Sequence, residues 1–275
     1  MNTILVPTDF SDGAFNALGY AMRLAEIFDY SIKIVHAYRL PTTESGVLVD
    51  LTEILAKTAQ EELDLLKTKV DAINHSNLTI TYGAHYGSVM EIIHNFSKSE
   101  GVELVVMGTQ GASGITDKWL GTVAASAAKN VEDPLLIIPA NQAYRNLNHI
   151  LFATDLKVIE NEKHLRFLAT LAKKSNSRLD FLHIRKVNEE ADDEKVAKYR
   201  AQIQSIFGED KTRISYLFDD EVNEGIKDGL ETHNPDLLVV VRHKYGFFEG
   251  LFRGSLSRKL ISESALPILV LQDKI

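Results

Sequence analysis

The chain repeats itself. Asn2-Thr3-Ile4-Leu5-Val6-Pro7-Thr8-Asp9 returns as Asn148-His149-Ile150-Leu151-Phe152-Ala153-Thr154-Asp155, with isoleucine, leucine, threonine and aspartate in the same places. Further along, Ile34-Val35-His36 returns as Phe181-Leu182-His183 and Leu104-Val105-Val106 as Leu237-Leu238-Val239. Gly121-Thr122 then matches Gly254-Ser255, and Pro134-Leu135-Leu136-Ile137 matches Pro267-Ile268-Leu269-Val270. Correspondences that keep one order from end to end mean two copies of one folding unit. The expected boundaries are residues 1–140 and 148–275, joined by a linker from Asn141 to Asn148, and 275 residues suffice for two units of ordinary domain size.

Within a copy, short apolar runs alternate with amphipathic stretches. Ile4-Leu5-Val6 stops at Pro7, and Thr8, Asp9 and Ser11 offer side chains that cap a helix start. Ala14, Leu18, Ala21 and Ala25 then recur at helical spacing before a second strand through Ile32, Ile34 and Val35. A long helix from Leu51 to Ile73, a third strand at Leu78, Ile80 and Tyr82, and a helix through Val89, Ile92, Ile93 and Phe96 lead to a fourth strand, Leu104 to Met107. Strands separated by helices of this length run parallel with helices on both faces, so each copy is expected to be a doubly wound α/β domain. The charged segment Lys186 to Lys211 of the second copy reads as a solvated helix face.

One stretch of copy one carries recognisable chemistry. Between the strand ending at Met107 and the helix Val123 to Ala128 stand Gly108, Gly111, Gly121 and Thr122, spaced as Gly, two residues, Gly, nine residues, Gly-Thr. Glycines let backbone N–H groups approach an anion, and the first amides of a helix have no internal partner, so this pattern suits phosphate. Asp9, Ala37 and the Gly108 loop all fall at carboxyl ends of strands, where doubly wound domains bind ligands. A Rossmann fingerprint is missing after the first strand, where Pro7-Thr8-Asp9-Phe10-Ser11 stands, and no Gly-Lys-Ser/Thr occurs, which excludes a Walker loop. The net charge of −8 argues against general nucleic-acid binding, and the lack of cysteine closes disulfide and thiolate-metal chemistry and points to a reducing cytoplasm. No apolar run reaches the roughly 18 residues of a membrane span, and the N-terminus lacks the basic region of a secretory signal. The histidines form no helical pair with an intervening glutamate, so zinc-hydrolase chemistry gains no support.

At Gly108, Gly111, Gly121 and Thr122, together with Val6-Pro7-Thr8-Asp9 and the closing Pro134 to Pro139, the chain resembles the universal stress protein family in its tandem form. The resemblance covers copy one fully and copy two more loosely. It implies an adenine nucleotide alpha hydrolase-like fold and an ATP site: adenine near Ala37 and Met107, ribose and phosphates by Pro7, Thr8, Asp9 and the Gly108–Gly111 loop, phosphate oxygens at Gly121, Thr122 and Val123. Asp9 is either a helix cap or a ligand through bound magnesium, or both. Single-copy members dimerise, so the edges near Leu135–Pro139 and Ile268–Leu271 are expected to pair the copies about a pseudo-twofold axis, with homodimerisation of whole chains as a further expectation. In copy two the first glycine pair is replaced by Arg242, His243, Lys244 and Tyr245, so that site is expected to be degenerate. The implied function is an ATP-binding stress-response regulator. The alternatives are a slow ATPase or phosphotransferase in the same pocket and a scaffold without nucleotide.

Overall fold

The computed structural model describes residues 2–40, 51–99, 101–109, 121–140, 142–190, 192–209, 212–243 and 266–273. Copy one runs β1 (Thr3–Thr8), α1 (Asp12–Phe28), β2 (Ser31–Tyr38), α2 (Leu51–Asp71), β3 (Ile80–Tyr86), α3 (Val89–Ser99), β4 (Val102–Gly108), α4 (Thr122–Asn130) and β5 (Leu135–Ile138). Copy two runs β6 (His149–Ala153), α5 (Glu162–Lys174), β7 (Arg178–Arg185), α6 (Asp193–Phe207), β8 (Ile214–Phe218), α7 (Val222–His233), β9 (Leu237–Arg242) and β10 (Ile268–Gln272). No helix among the described residues is long and apolar enough to cross a membrane.

The two expected edges pair, and so the sheets of both copies join into one. Among the described residues, all the strands join a ten-stranded sheet in the order β3-β2-β1-β4-β5-β10-β9-β6-β7-β8. Neighbours within a copy pair parallel, and β5 and β10 pair antiparallel at the centre. Because both faces are covered, the central strands β5, β10 and β9 read as near-continuous apolar runs, whereas β2, β3, β7 and β8 toward the edges also carry polar residues. Ile4, Val6, Ile34, Leu104 and Val106 point to one layer, with α1, α2, α5 and α6. Leu5, Val35, Val105 and Met107 point to the other, with α3, α4 and α7.

The join has the expected symmetry. Leu269 lies opposite Leu136, flanked by Ile268 opposite Ile137 and Val270 opposite Leu135, so the pseudo-twofold axis passes through two leucines that are themselves repeat equivalents. Leu136 and Leu269 are buried with Leu24, Phe167 and Leu171. Helices α1 and α5 meet over this seam, where Phe28 stacks on Phe167 at 5.3 Å and Lys174 Nζ donates to the carbonyl of Ile27 at 3.0 Å. The linker is fastened to α1: Asn16 Nδ2 donates to the carbonyls of Pro139 and Gln142, and the Tyr20 hydroxyl to that of Ala143.

At the carboxyl ends of copy two's central strands, a buried ion cluster closes the sheet. His243, just past β9, faces Asp155 through Nε2 at 3.3 Å and Asp273 through Nδ1 at 2.9 Å. Burial alone would favour the neutral imidazole, but the hydrogen bonds and charges of the two carboxylates raise its pKa above the ordinary histidine value. Burial likewise opposes ionisation of Asp155, yet His243 and Lys157 hold its pKa below the usual carboxylate range.

Two outcomes are expected. A fragment of residues 1–140 ends with β5 unpaired along a flat apolar edge and should self-associate on size-exclusion chromatography; a monomer as stable as the whole chain would show the seam to be dispensable. The His243 contribution to stability should be complete below the unfolded imidazole value of about 6.5 and fall away as pH rises through the higher folded value. Asp155 should contribute at all pH above its unfolded value and be lost only as acid reaches the lower folded one. His243→Gln should therefore flatten the neutral-to-alkaline slope of urea midpoints and cost about 3 kcal/mol, because buried Asp155 loses a cation.

Candidate functional site

A cavity of about 260 Å³ opens at the carboxyl ends of β1, β2 and β4. Pro7, Thr8 and Asp9 line it from the exit of β1, Ala37 from β2, Met107 and Gly108 from β4, and Gly121, Thr122 and Val123 from the start of α4. All the residues expected from the sequence thus meet at one opening, except Gly111, which lies outside the described residues, as do Lys244, Tyr245, Gly254 and Ser255 of copy two. Val35, Val89 and Ile92 complete an apolar wall that the sequence reading did not assign to the site. Val89 and Ile92 were legible only as the face of a helix, since a site wall and a core face carry the same periodic signal.

The turn after β1 is built from its own side chains. Thr8 Oγ1 accepts the amide of Phe10 at 3.1 Å. Asp9 Oδ1 accepts both the amide and the hydroxyl of Ser11, at 3.2 and 2.6 Å. Ser11 Oγ in turn accepts the amide of Ala14, so Ser11 is the N-cap of α1 and Asp9 orients that cap rather than capping directly. Phe10 takes a left-handed φ of 63°, and its ring lies 4.4 Å from that of His36, whose Nδ1 donates to the carbonyl of Thr8. His36 is a packing and positioning residue here.

Gly108 is required by close approach. A Cβ on it would meet the carbonyl oxygen of Gly13 at 2.8 Å, so β4 and the first turn of α1 touch backbone to backbone at the edge of the cavity. Across the opening, α4 begins at Gly121 without a side-chain cap, and the Gly121 amide donates to the carbonyl of Thr109 at 2.6 Å. A helix start lined up on a cavity, its first-turn amides without a partner within the helix, presents partial positive charge to whatever enters it.

Copy two repeats the backbone bonds of the turn and carries larger residues at the strand ends. Thr154 Oγ1 accepts the amide of Leu156, Asp155 Oδ1 that of Lys157, and His183 Nδ1 donates to the carbonyl of Thr154, while Leu156 takes a left-handed φ of 59°. By strand register, however, Ile184 stands where copy one has Ala37, and Val241 where it has Gly108. The Ile184 side chain reaches so far toward α7 that a Cβ on Gly225 would lie 2.6 Å from its Cγ2. Helix α5 starts only at Glu162, well after Asp155, whereas α1 starts at Asp12, shortly after Asp9. Asp155 itself is taken up by His243 and Lys157, and Arg242 Nη1 donates to Gln272 Oε1 at 3.2 Å. The bulk expected from the basic loop is thus present already in the strands beneath it. A larger opening of about 510 Å³ beside α6 is an open trough with charges of both signs on its walls, among them Glu189, Asp192, Lys195 and Arg200.

The match to known proteins follows the repeat. The universal stress protein family model matches residues 1–139 and again 146–272. Universal stress protein MJ0531 of Methanocaldococcus jannaschii is 30% identical over 142 residues, which is 49% of this chain and 80% of that protein. Universal stress protein YxiE of Bacillus subtilis is 26% identical over 145 residues, covering 50% of this chain and 98% of that one. Among solved structures, a universal stress protein from Archaeoglobus fulgidus superposes with a TM-score of 0.72 at 20% identity and covers 98% of both chains, which shows that the fold is shared over its whole length. With both copies matched in order and nearly end to end, the chain belongs to the universal stress protein family.

Proposed function

We propose that copy one, residues 1–140, binds ATP and that copy two, residues 148–275, is its nucleotide-free structural partner, the whole acting as a nucleotide-dependent stress-response regulator in the cytoplasm. The observation that carries this reading is the convergence on one cavity of an apolar slot, a glycine at backbone contact and an uncapped helix start. A flat aromatic base suits the slot between Ala37, Met107 and Ile92, where strand-end backbone can hydrogen-bond its edge. A phosphate chain suits the amides of Thr122 and Val123, the Thr122 hydroxyl and the close backbone approach that Gly121 allows. Asp9 is the carboxylate that lines the cavity, and a magnesium ion shared between it and phosphate oxygens would offset their like charge. Asp9 Oδ1 already holds the Ser11 amide and hydroxyl, an engagement that favours binding and regulation over hydrolysis.

Mass spectrometry of the purified, denatured chain should release adenine nucleotide at close to one equivalent; protein free of nucleotide that also gives no heat with ATP would return the reading to a scaffold. Ala37→Ile, which installs copy two's residue, should abolish binding. Gly121→Asp should do so as well without loss of fold, because aspartate is at least as good an N-cap as glycine while its carboxylate takes the phosphate position. Gly254→Asp should leave a stoichiometry of one; two equivalents in the parent chain, or equal losses from both glycine substitutions, would make copy two a working site. Asp9→Asn should erase the difference between ATP affinity with and without magnesium, measured by titration calorimetry.

A further inference from the structure

At the other end of copy two's sheet, three side chains from three elements converge. His149 is the first residue of β6, Asp180 lies near the start of β7, and His233 is the last residue of α7. Asp180 Oδ2 is 3.0 Å from His149 Nε2 and 3.6 Å from His233 Nδ1, and one ligand atom from each residue lies within 4.8 Å of the others. The carboxylate is buried, with 6% of its surface exposed. Each residue is set by its own backbone. Asp236 Oδ2 accepts the amides of Asn148 and His149 and fixes the start of β6, and α7 ends at Asn234, whose left-handed turn returns its amide to the carbonyl of Leu230.

We infer that His149, Asp180 and His233 form a binding site for a divalent transition metal ion of the zinc class. Two imidazole nitrogens 3.0 and 3.6 Å from one carboxylate oxygen, with all three atoms within 4.8 Å of one another, suit zinc, cobalt or nickel, whereas magnesium and calcium favour oxygen-rich sets. Arg178 has two roles beside it. Its Nε donates to Asp180 Oδ1 at 3.1 Å, which orients the carboxylate so that Oδ2 faces the imidazoles, as partners behind a ligand commonly do. Its Nη2 lies 2.6 Å from Oδ2 and must yield that atom to the ion, and the arginine side chain, 63% exposed, has water to move into. Three protein ligands leave a fourth position for water or an external donor. Copy one has no counterpart, since Thr3 and Lys33 stand at the positions of His149 and Asp180. The site belongs to copy two alone and lies at the opposite strand ends from the nucleotide cavity, so it does not depend on the ATP reading.

The test uses the full chain, stripped with a chelator and titrated with zinc chloride by calorimetry at neutral pH, with cobalt absorption as a second readout. One zinc per chain is expected, with a rise in thermal midpoint that the chelator reverses and a tetrahedral cobalt spectrum. His149→Gln and His233→Gln should each weaken zinc at least about tenfold, while His75→Ala, on the exposed surface outside the cluster, should leave it unchanged. Asp180→Asn should weaken it further; if that variant fails to fold, the two histidine variants decide. Absence of saturable binding, or binding that both histidine variants leave intact, would overturn the site and make the cluster an ion-pair network only.

Discussion

The architecture depends on the antiparallel pairing of β5 with β10. Each copy alone is a five-stranded parallel sheet that ends in an apolar strand with unpaired amides and carbonyls. Placing those two ends against each other satisfies both at once, and the repeat supplies the complementarity: equivalent residues meet at the axis because a twofold arrangement brings any surface back onto itself. Everything above and below follows from that seam. Helices α1 and α5 come together over it and stack Phe28 on Phe167, and one layer of side chains runs through both copies without interruption.

The two copies show how little sequence separates a cavity from a core. The Thr-Asp turn after the first strand keeps its two backbone-amide bonds, its left-handed third residue and the histidine that braces the threonine carbonyl, while the Ser11 hydroxyl bonds are lost where Lys157 stands instead. Two replacements, Ala37 by Ile184 and Gly108 by Val241, put larger side chains at the corresponding strand ends of copy two, and Ile184 packs against the bare backbone of Gly225. Valine cannot sit where β4 and α1 touch through bare backbone, and the chain in copy two is irregular from Thr154 until α5 starts at Glu162. The freed aspartate then joins a buried cluster with His243 and Asp273 instead of facing an opening.

Much of this was legible beforehand, for identifiable reasons. The repeat gave the tandem arrangement, because aligned motifs fix equivalent positions whatever the tertiary detail, and the resemblance to a family whose single-copy members dimerise pointed to the pairing edge. The glycine spacing pointed to the cavity because glycine marks close backbone approach. Three things were not legible. The register at which β5 meets β10, Leu136 opposite Leu269, is one of them, since periodicity does not report it. That Ile184 replaces Ala37 at the strand end and packs against Gly225 is invisible in a strand where isoleucine is as ordinary as alanine. The His149, Asp180 and His233 cluster escaped because its members come from two strands and a helix end, far apart in the chain, whereas sequence motifs register only ligands that are near neighbours.

The covalent linker, held along α1 by Asn16 and Tyr20, changes what the seam permits. In a dimer of identical subunits every substitution appears twice, once on each side of the axis, and partners exchange by dissociation. A tethered pair meets itself at high effective concentration and keeps one fixed partner. Each half is then released from the need to suit both places. Thr3 and Lys33 could stay as they are while their counterparts became His149 and Asp180, and Ala37 could stay small while Ile184 grew.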